Sequence, residues 1–461
     1  MSARRIWLIL VLVAIALRLP DIGNPLIDVD EQMYLLVGQR MLEGAIPYVD
    51  IWDRKPIGLF LLYAAAGALP GDPVIVCQLF ALLFAILTAG VIATLARRFA
   101  GPVAALAAGG VYLVWLELIG GRGGQSPVFY NLLIAAAVLL TWDTLTGRRR
   151  GAILAMLLAG LALQIKPTAI FEGLFLGGSL MFASWRRHRR PMPVIRDILG
   201  YAAVALLPTA LAYVAYAAIG HADAWWFANV DSIFLRSITP GDPLLGRLGG
   251  VVVVLLVPAA VSVRGIVAQP PAARLFLGAW LTIATIGWLL VPPYFNHYAL
   301  PLLVPIAVGA AGVLDRRPMQ ILVAATALAL LVLSGFPHWG DTRDTRGRVA
   351  ALTATIDRAR GQGCLFVFQA PPALYTATRS CLPTRYPFPF HLVEPSEQHA
   401  IGVDPDTEVA GILAAAPPVI AAGDRPSRRD RPTVLRVNRA LAHHYRPIAR
   451  DLGITVYRRN D

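Results

Sequence analysis

The sequence predicts a polytopic α-helical membrane protein with a small α/β domain at its C-terminal end. Three observations predict it. The 461 residues are 57% hydrophobic and only 15% charged, where soluble domains carry about 25% charge. Long apolar runs recur from the N-terminus to about residue 336 and then stop. The Arg-rich segments fall between those runs at alternate turns.

A helix needs about 20 apolar residues to cross about 30 Å of hydrocarbon. Eleven runs qualify, at roughly 5–22, 73–96, 102–120, 127–145, 151–165, 168–184, 197–219, 244–263, 274–291, 298–314 and 319–336. The first follows Arg4-Arg5 and closes at Arg18-Leu19-Pro20 without a small-residue cleavage motif, so it reads as an uncleaved span and not a signal peptide. The fifth and sixth are short and broken at Lys166-Pro167, either as a close hairpin or as one kinked segment. Charge arbitrates. Arg4-Arg5, Arg97-Arg98, Arg148-Arg149-Arg150, Arg186 to Arg190, Arg264 with Arg274, and Arg316-Arg317 share one side only if 151–184 forms two spans. That side is cytoplasmic by the positive-inside rule. The net charge of +13 is thereby explained by orientation, with no need for a nucleic-acid partner.

The opposite face, periplasmic in a bacterial inner membrane, then carries 23–72, 120–127, 220–243 and everything after about 337. The expected division is a membrane core over 1–336, with 23–72 as its first external loop, and a periplasmic domain over 337–461. In that domain 349–360 reads as a helix, 364–368 as a strand, and 383–395 and 422–434 as irregular. Within 23–72, residues 30–44 have helical spacing with Gly44 as a stop. Residues 56–69 are apolar but too short to span, which suits a re-entrant or interfacial helix. The loop 220–243, with His221, Asp223, Trp225-Trp226, Asp231 and Arg236, reads as an interfacial helix or the lining of an acceptor groove. Cys77 lies in an apolar run and reads as inert. Cys364 and Cys381, 17 positions apart on the oxidising side, are a candidate disulfide.

Chemistry concentrates in the first external loop. Asp28-Val29-Asp30-Glu31 supplies three acids at a helix start. Asp28 as N-cap with Glu31 as its capping-box partner is one reading. The other is a carboxylate acting as base toward an incoming hydroxyl. Asp28-x-Asp30 also looks like the metal-binding motif of nucleotide-sugar transferases, but nucleotides are absent outside the cytoplasm, so a donor there would arrive on a lipid. In Trp52-Asp53-Arg54-Lys55-Pro56, Arg54 and Lys55 precede an apolar helix. They are either cations snorkelling to lipid headgroups or a clamp on a leaving phosphate. The acids and the cations lie 25 positions apart, from Asp30 to Lys55, within reach of one folded loop.

Residues 30–63, DEQMYLLVGQRMLEGAIPYVDIWDRKPIGLFLLY, resemble the first external loop of the GT-C glycosyltransferase superfamily. The resemblance is to its aminoarabinose-lipid A transferase, protein O-mannosyltransferase and rhizobial galacturonosyltransferase-like branches. It implies a GT-C membrane core, a polyprenyl-phosphate-sugar donor and a membrane-associated acceptor. The family's Asp-Glu pair matches Asp30-Glu31, which makes Asp30 the catalytic carboxylate and Glu31 the second catalytic candidate. Its Lys-Pro pair matches Lys55-Pro56, which makes Lys55 the ligand of the donor phosphate, with Arg54 and Lys166 as helpers. Gln164-Ile165-Lys166-Pro167 resembles the family's Thr-Lys-Pro turn, and Lys166 reads otherwise as a snorkelling helix-end cation. Tyr294 to Pro301 resembles the aromatic entry to a late span, where His297 and Tyr298 bind substrate or form an interfacial belt. Asp28, Asp53, Arg122 and Gln125 complete the substrate-binding candidates. Gln125 stands where relatives carry an acid, with Glu117 as a possible substitute, and this weakens the case for a second catalytic carboxylate and for a metal. No cofactor is expected, with a divalent metal left open. The tail resembles the family least. Two rival readings remain at this point. A flippase for lipid-linked sugars would place polar residues in mid-span or show repeated halves, and a non-catalytic polysaccharide-assembly subunit would not need Asp30.

Overall fold

The computed structural model describes residues 1–148, 150–239, 241–424 and 428–460. Arg149 of the basic cluster and residues 425–427 of the 422–434 stretch lie outside the described residues. Nineteen α-helices follow one another among the described residues. They are α1 (Ala3–Arg18), α2 (Val29–Leu42), α3 (Ile57–Gly67), α4 (Pro73–Ala96), α5 (Pro102–Leu118), α6 (Ser126–Leu145), α7 (Ala152–Leu163), α8 (Ile170–His188), α9 (Pro191–Ala218), α10 (Ala222–Trp226), α11 (Ser232–Leu235), α12 (Leu244–Val267), α13 (Pro271–Leu289), α14 (Leu303–Ala310), α15 (Arg317–Leu333), α16 (Trp339–Arg360), α17 (Ala373–Thr378), α18 (Pro405–Ala414) and α19 (Pro432–His444). Four strands, β1 (Leu365–Phe368), β2 (Val419–Gly423), β3 (Tyr445–Asp451) and β4 (Ile454–Arg459), come late in the chain.

Among the described residues, six helical segments are long and apolar enough to cross a membrane: Pro73–Ala96, Ser126–Leu145, Pro167–His188, Pro191–Ala218, Leu244–Val267 and Pro271–Leu289. Shorter apolar helices include Pro102–Leu118, Ala152–Leu163, Asn296–Ala310 and Arg317–Leu333. The stretch 151–184 forms two helices, α7 and α8, packed against each other. Proline explains the break. Pro167 has no N–H to donate and disfavours a helical Lys166, and Lys166 is extended, at φ −152°.

The chain divides into two compact units. The first comprises 1–21, 78–212 and 243–338. Its apolar helices bury one face and expose the other, as lipid-bathed helices do. Leu211 of α9 is 60% exposed and Leu256 of α12 also 60%, while Trp115 and Trp280 are fully buried. The ends of α4 and α6 are joined by Arg98, whose Nε and Nη2 donate to Asp143 at 2.8 and 2.7 Å. The Asp315 carboxylate accepts from the backbone N–H groups of Gly101 and Ala104 at the start of α5.

The second unit comprises 22–77, 213–242 and 339–461. The tail therefore shares a compact unit with 22–77 and 213–242, a wider unit than 337–461 alone. The sheet order is β1-β2-β4-β3, with β1 parallel to β2 and the other pairs antiparallel. Between β3 and β4, Leu452 and Gly453 both take positive φ, 53° and 72°, which is the two-residue turn that suits strand twist and calls for glycine. Trp52, between α2 and α3, is 2% exposed and lies in one apolar cluster with Phe366, Ile420, Val434 and Val437. Its backbone N–H donates to the Arg385 carbonyl at 2.7 Å. Gln32 of α2 accepts from the Ala373 N–H, and Arg40 donates to the Ser380 carbonyl. Cys364 and Cys381 form a disulfide. The 220–243 segment forms α10, a single π-turn over Phe227–Asp231, and α11.

Candidate active site

Asp28 caps α2. Its Oδ1 accepts from the N–H of Asp30 at 2.8 Å and of Glu31 at 3.3 Å, satisfying donors that the first helical turn leaves open. The cap holds Asp30 and Glu31 inside the first turn, where the helix dipole favours their charge. Glu31 is 4% exposed, whereas Asp30 is half-buried.

The second limb is 52–56. Asp53, 5% exposed, accepts from the Lys55 backbone N–H at 2.9 Å, an Asx-type turn that bends the chain. Tyr48, itself at φ 70°, donates its hydroxyl to the Lys55 carbonyl at 2.8 Å. The Lys55 ammonium lies 4.0 Å from Asp53 Oδ1 and 5.5 Å from the centroid of the Tyr34 ring.

Tyr34 is where the two limbs meet. It follows Asp30 by four positions and so shares its helix face. Its ring packs edge-on against Tyr63 of α3, with centroids 5.6 Å apart. Its phenol is held well above the usual tyrosine range by burial and then by the nearby Asp30, Asp53 and Asp28 carboxylates. All three carboxylates are thus near enough to bear on the charge of this phenol. A half-buried carboxylate, an ammonium and a buried phenol thus converge in the second unit. Sequence reading passed over Tyr34, although its helical spacing from Asp30 was a usable signal.

Arg54 points elsewhere. Its Nη1 donates to Glu397 Oε1 at 2.9 Å, its Nη2 donates to Glu397 Oε2, and its Nε donates to Ser232 Oγ at 3.3 Å. Arg236 reaches the same carboxylate at 3.1 Å. Burial raises the Glu397 carboxyl, but the Arg54 hydrogen bonds and charge outweigh it and hold the group down at about 2. His391, against Trp52 at 4.8 Å between centroids, is lowered to about 3 by burial first, with Arg54, Lys55 and Arg236 adding to it and Glu397 opposing. Arg54 therefore anchors the Lys55 limb. Glu397 and His391 lie more than three hundred positions from Arg54, and nothing local in the sequence marks them.

The first unit holds the other candidates. The buried Lys166 lies 4.5 Å from the centroid of the Tyr298 ring. Both line a cleft of about 350 Å³, its open mouth included, with Tyr130, Glu172 and Trp288. His297 stacks on Phe295 and lies edge-on to Tyr298. Gln125 is the buried N-cap of α6. Arg122 donates through Nε to Asp21 Oδ2 at 2.9 Å and through Nη2 to Oδ1. Its Nε is 3.3 Å from Glu117 Oε1. The acid and the cation singled out around Gly120 are thus paired with each other.

This helical membrane core, with a small mixed sheet following it, is a GT-C fold. In particular, the chain is similar to ArnT from Cupriavidus metallidurans in the apo state, with a TM-score of 0.67 and 16% identity over 99% of this chain and 98% of that one. ArnT bound to undecaprenyl phosphate gives 0.66 and 15%, over 99% and 97%. The oligosaccharyltransferase of Archaeoglobus fulgidus in its apo form gives 0.52 and 9%, over 92% and 69%. No family model matches the chain, and no curated protein matches it. At these identities the likeness concerns the fold. It extends over the tail, the part whose sequence resembled the family least.

Proposed function

We propose that the chain is a bacterial inner-membrane glycosyltransferase. In this reading it moves a sugar from a polyprenyl-phosphate donor to the hydroxyl of a membrane-associated acceptor on the periplasmic face, in modification of a cell-envelope glycoconjugate. The observation that carries the reading is the convergence of Asp30 and Lys55 on Tyr34, in a chain whose fold matches ArnT from end to end.

The acceptor oxygen attacks the anomeric carbon as Asp30 takes its proton. The bond from that carbon to the phosphate oxygen breaks, and its electron pair leaves with the lipid phosphate. Lys55 meets that charge as it grows. One in-line displacement inverts the anomeric carbon. Polyprenyl phosphate is already a stable anion, so the step calls for no cofactor. Arg54, tied to Glu397 and Ser232, fixes the Lys55 limb from behind.

The test is transfer by purified protein in detergent, with radiolabelled polyprenyl-phosphate sugars, a membrane lipid extract and an EDTA arm. Label reaching a new product with wild type and lost with Asp30→Asn supports the reading. Equal product from Asp30→Asn overturns the catalytic assignment. Absence of transfer, with labelled lipid crossing reconstituted vesicles, replaces the reading with a flippase.

A further inference from the structure

A cluster of three buried groups in the first unit lies outside the proposed reaction. Asp21 follows α1, Glu117 is in the last turn of α5, and His338 follows α15. They are 1%, 4% and 8% exposed. One ligand atom from each lies within 4.8 Å of the others.

The imidazole supplies the independent observation. His338 Nε2 is 3.2 Å from the Ser334 carbonyl oxygen. A carbonyl only accepts, so Nε2 carries the hydrogen. That leaves Nδ1 of the neutral ring with a lone pair, buried and making no hydrogen bond. It faces Asp21 Oδ1 at 3.5 Å. The distance exceeds that of a hydrogen bond. It matches the separation of two ligands on a tetrahedral zinc ion, roughly 3.4 Å from bonds of about 2.1 Å. An imidazole held by a carbonyl through its other nitrogen is also how metal-ligating histidines are oriented. Both Glu117 oxygens are buried, and Oε1 is ion-paired with Arg122 Nε at 3.3 Å.

We infer that Asp21, Glu117 and His338 Nδ1 bind a divalent first-row metal ion of the Zn²⁺ class, as a site separate from Asp30 and Lys55. Two carboxylates and one imidazole are a three-ligand set of the kind that Zn²⁺ accepts with a further water. Two cations face the cluster. Arg122 bonds the two oxygens of Asp21 through one edge, leaving their remaining lone pairs for an ion. Its 3.3 Å approach to Glu117 gives way when Glu117 turns to the metal. Arg18 donates to the carbonyls of Gly121, Arg122 and Gly123. The ion would tie the ends of three helices, α1, α5 and α15, that are far apart in sequence.

The experiment uses the full chain in detergent, stripped with chelator, loaded with Zn²⁺ and passed through gel filtration. Wild type should retain about one Zn²⁺ per chain and melt at a higher temperature with Zn²⁺ than without. Glu117→Gln and His338→Gln should lose both effects, whereas His443→Ala, at an exposed histidine, should keep them. No retained Zn²⁺ in wild type overturns the site, and so does Zn²⁺ retained in both ligand variants. The Co²⁺-loaded wild type gives a reading that needs no variant. An intense visible band from tetrahedral nitrogen and oxygen ligands supports the site, and its absence overturns it.

Discussion

Asp30 stands one residue inside α2, and its position is set by its neighbours more than by itself. Asp28 Oδ1 accepts from the two N–H groups beneath, so the cap and the proposed base are different residues. The capping and catalytic readings of the acid run are therefore compatible. A general base contributes about 10²–10⁴-fold, so Asp30→Asn should lower kcat by that order while leaving donor binding in place, as measured by donor titration alongside turnover. Lys55 should behave in the opposite way. A hydrogen bond to a charged group is worth about 1.5–3 kcal/mol, so Lys55→Ala should lower kcat/KM for the donor by roughly 10–100-fold. A variant that keeps wild-type kcat/KM would remove Lys55 from the phosphate.

At the scale of elements, α2 and α3 must cross closely for Tyr34 to meet Tyr63 and Phe60. Gly38 makes this possible. A Cβ there would fall 2.8 Å from the Ala64 nitrogen and 2.8 Å from the Tyr63 carbonyl carbon, both backbone atoms that cannot step aside. Gly38→Val should lower the melting temperature by an overpacking cost of about 1–3 kcal/mol and reduce transfer by displacing Tyr34. Unchanged melting would mean that the helices do not cross as described.

Much of this scale was legible in sequence. The limits of α2, α3 and α4, the break at Lys166-Pro167 and the first strand of the tail follow from apolar spacing, proline and turn residues. The Asp30 and Lys55 limbs were legible because they are local motifs of unusual residues next to apolar helices. Tyr34 was half-legible, since only its spacing from Asp30 pointed to it. Glu397, His391 and the Asp21, Glu117 and His338 cluster were not legible. They come together from segments far apart in sequence, and a lone acid or histidine carries no local pattern.

On the scale of the molecule, the second unit is held by a charge network with a defined response to acid. Arg54, Arg236 and Glu397 gather segments from three regions of the chain, and His391 is packed beside them on Trp52. Burying polar groups is favourable only while they stay in the state for which the site was built. For His391 that state is the neutral ring. Its folded value of about 3 lies below the ordinary 6.5, so the unfolded chain takes up the proton first. The stability it supports is present above about 6.5 and lost progressively as pH falls toward 3. For Glu397 the favoured state is the anion. Its folded value of about 2 lies below the ordinary 4.5, so its contribution is present above about 4.5 and lost as pH falls toward 2. The two windows join, and acid should begin to weaken the unit just below pH 6.5, well before carboxylates titrate. Melting temperature followed from pH 7.5 to 4 should therefore fall in wild type. His391→Phe should flatten the upper part of that fall, because it removes the group whose protonation drives it and leaves a ring against Trp52. An equal slope in both proteins between pH 6.5 and 5 would assign the acid sensitivity to other groups, and would leave His391 as packing alone.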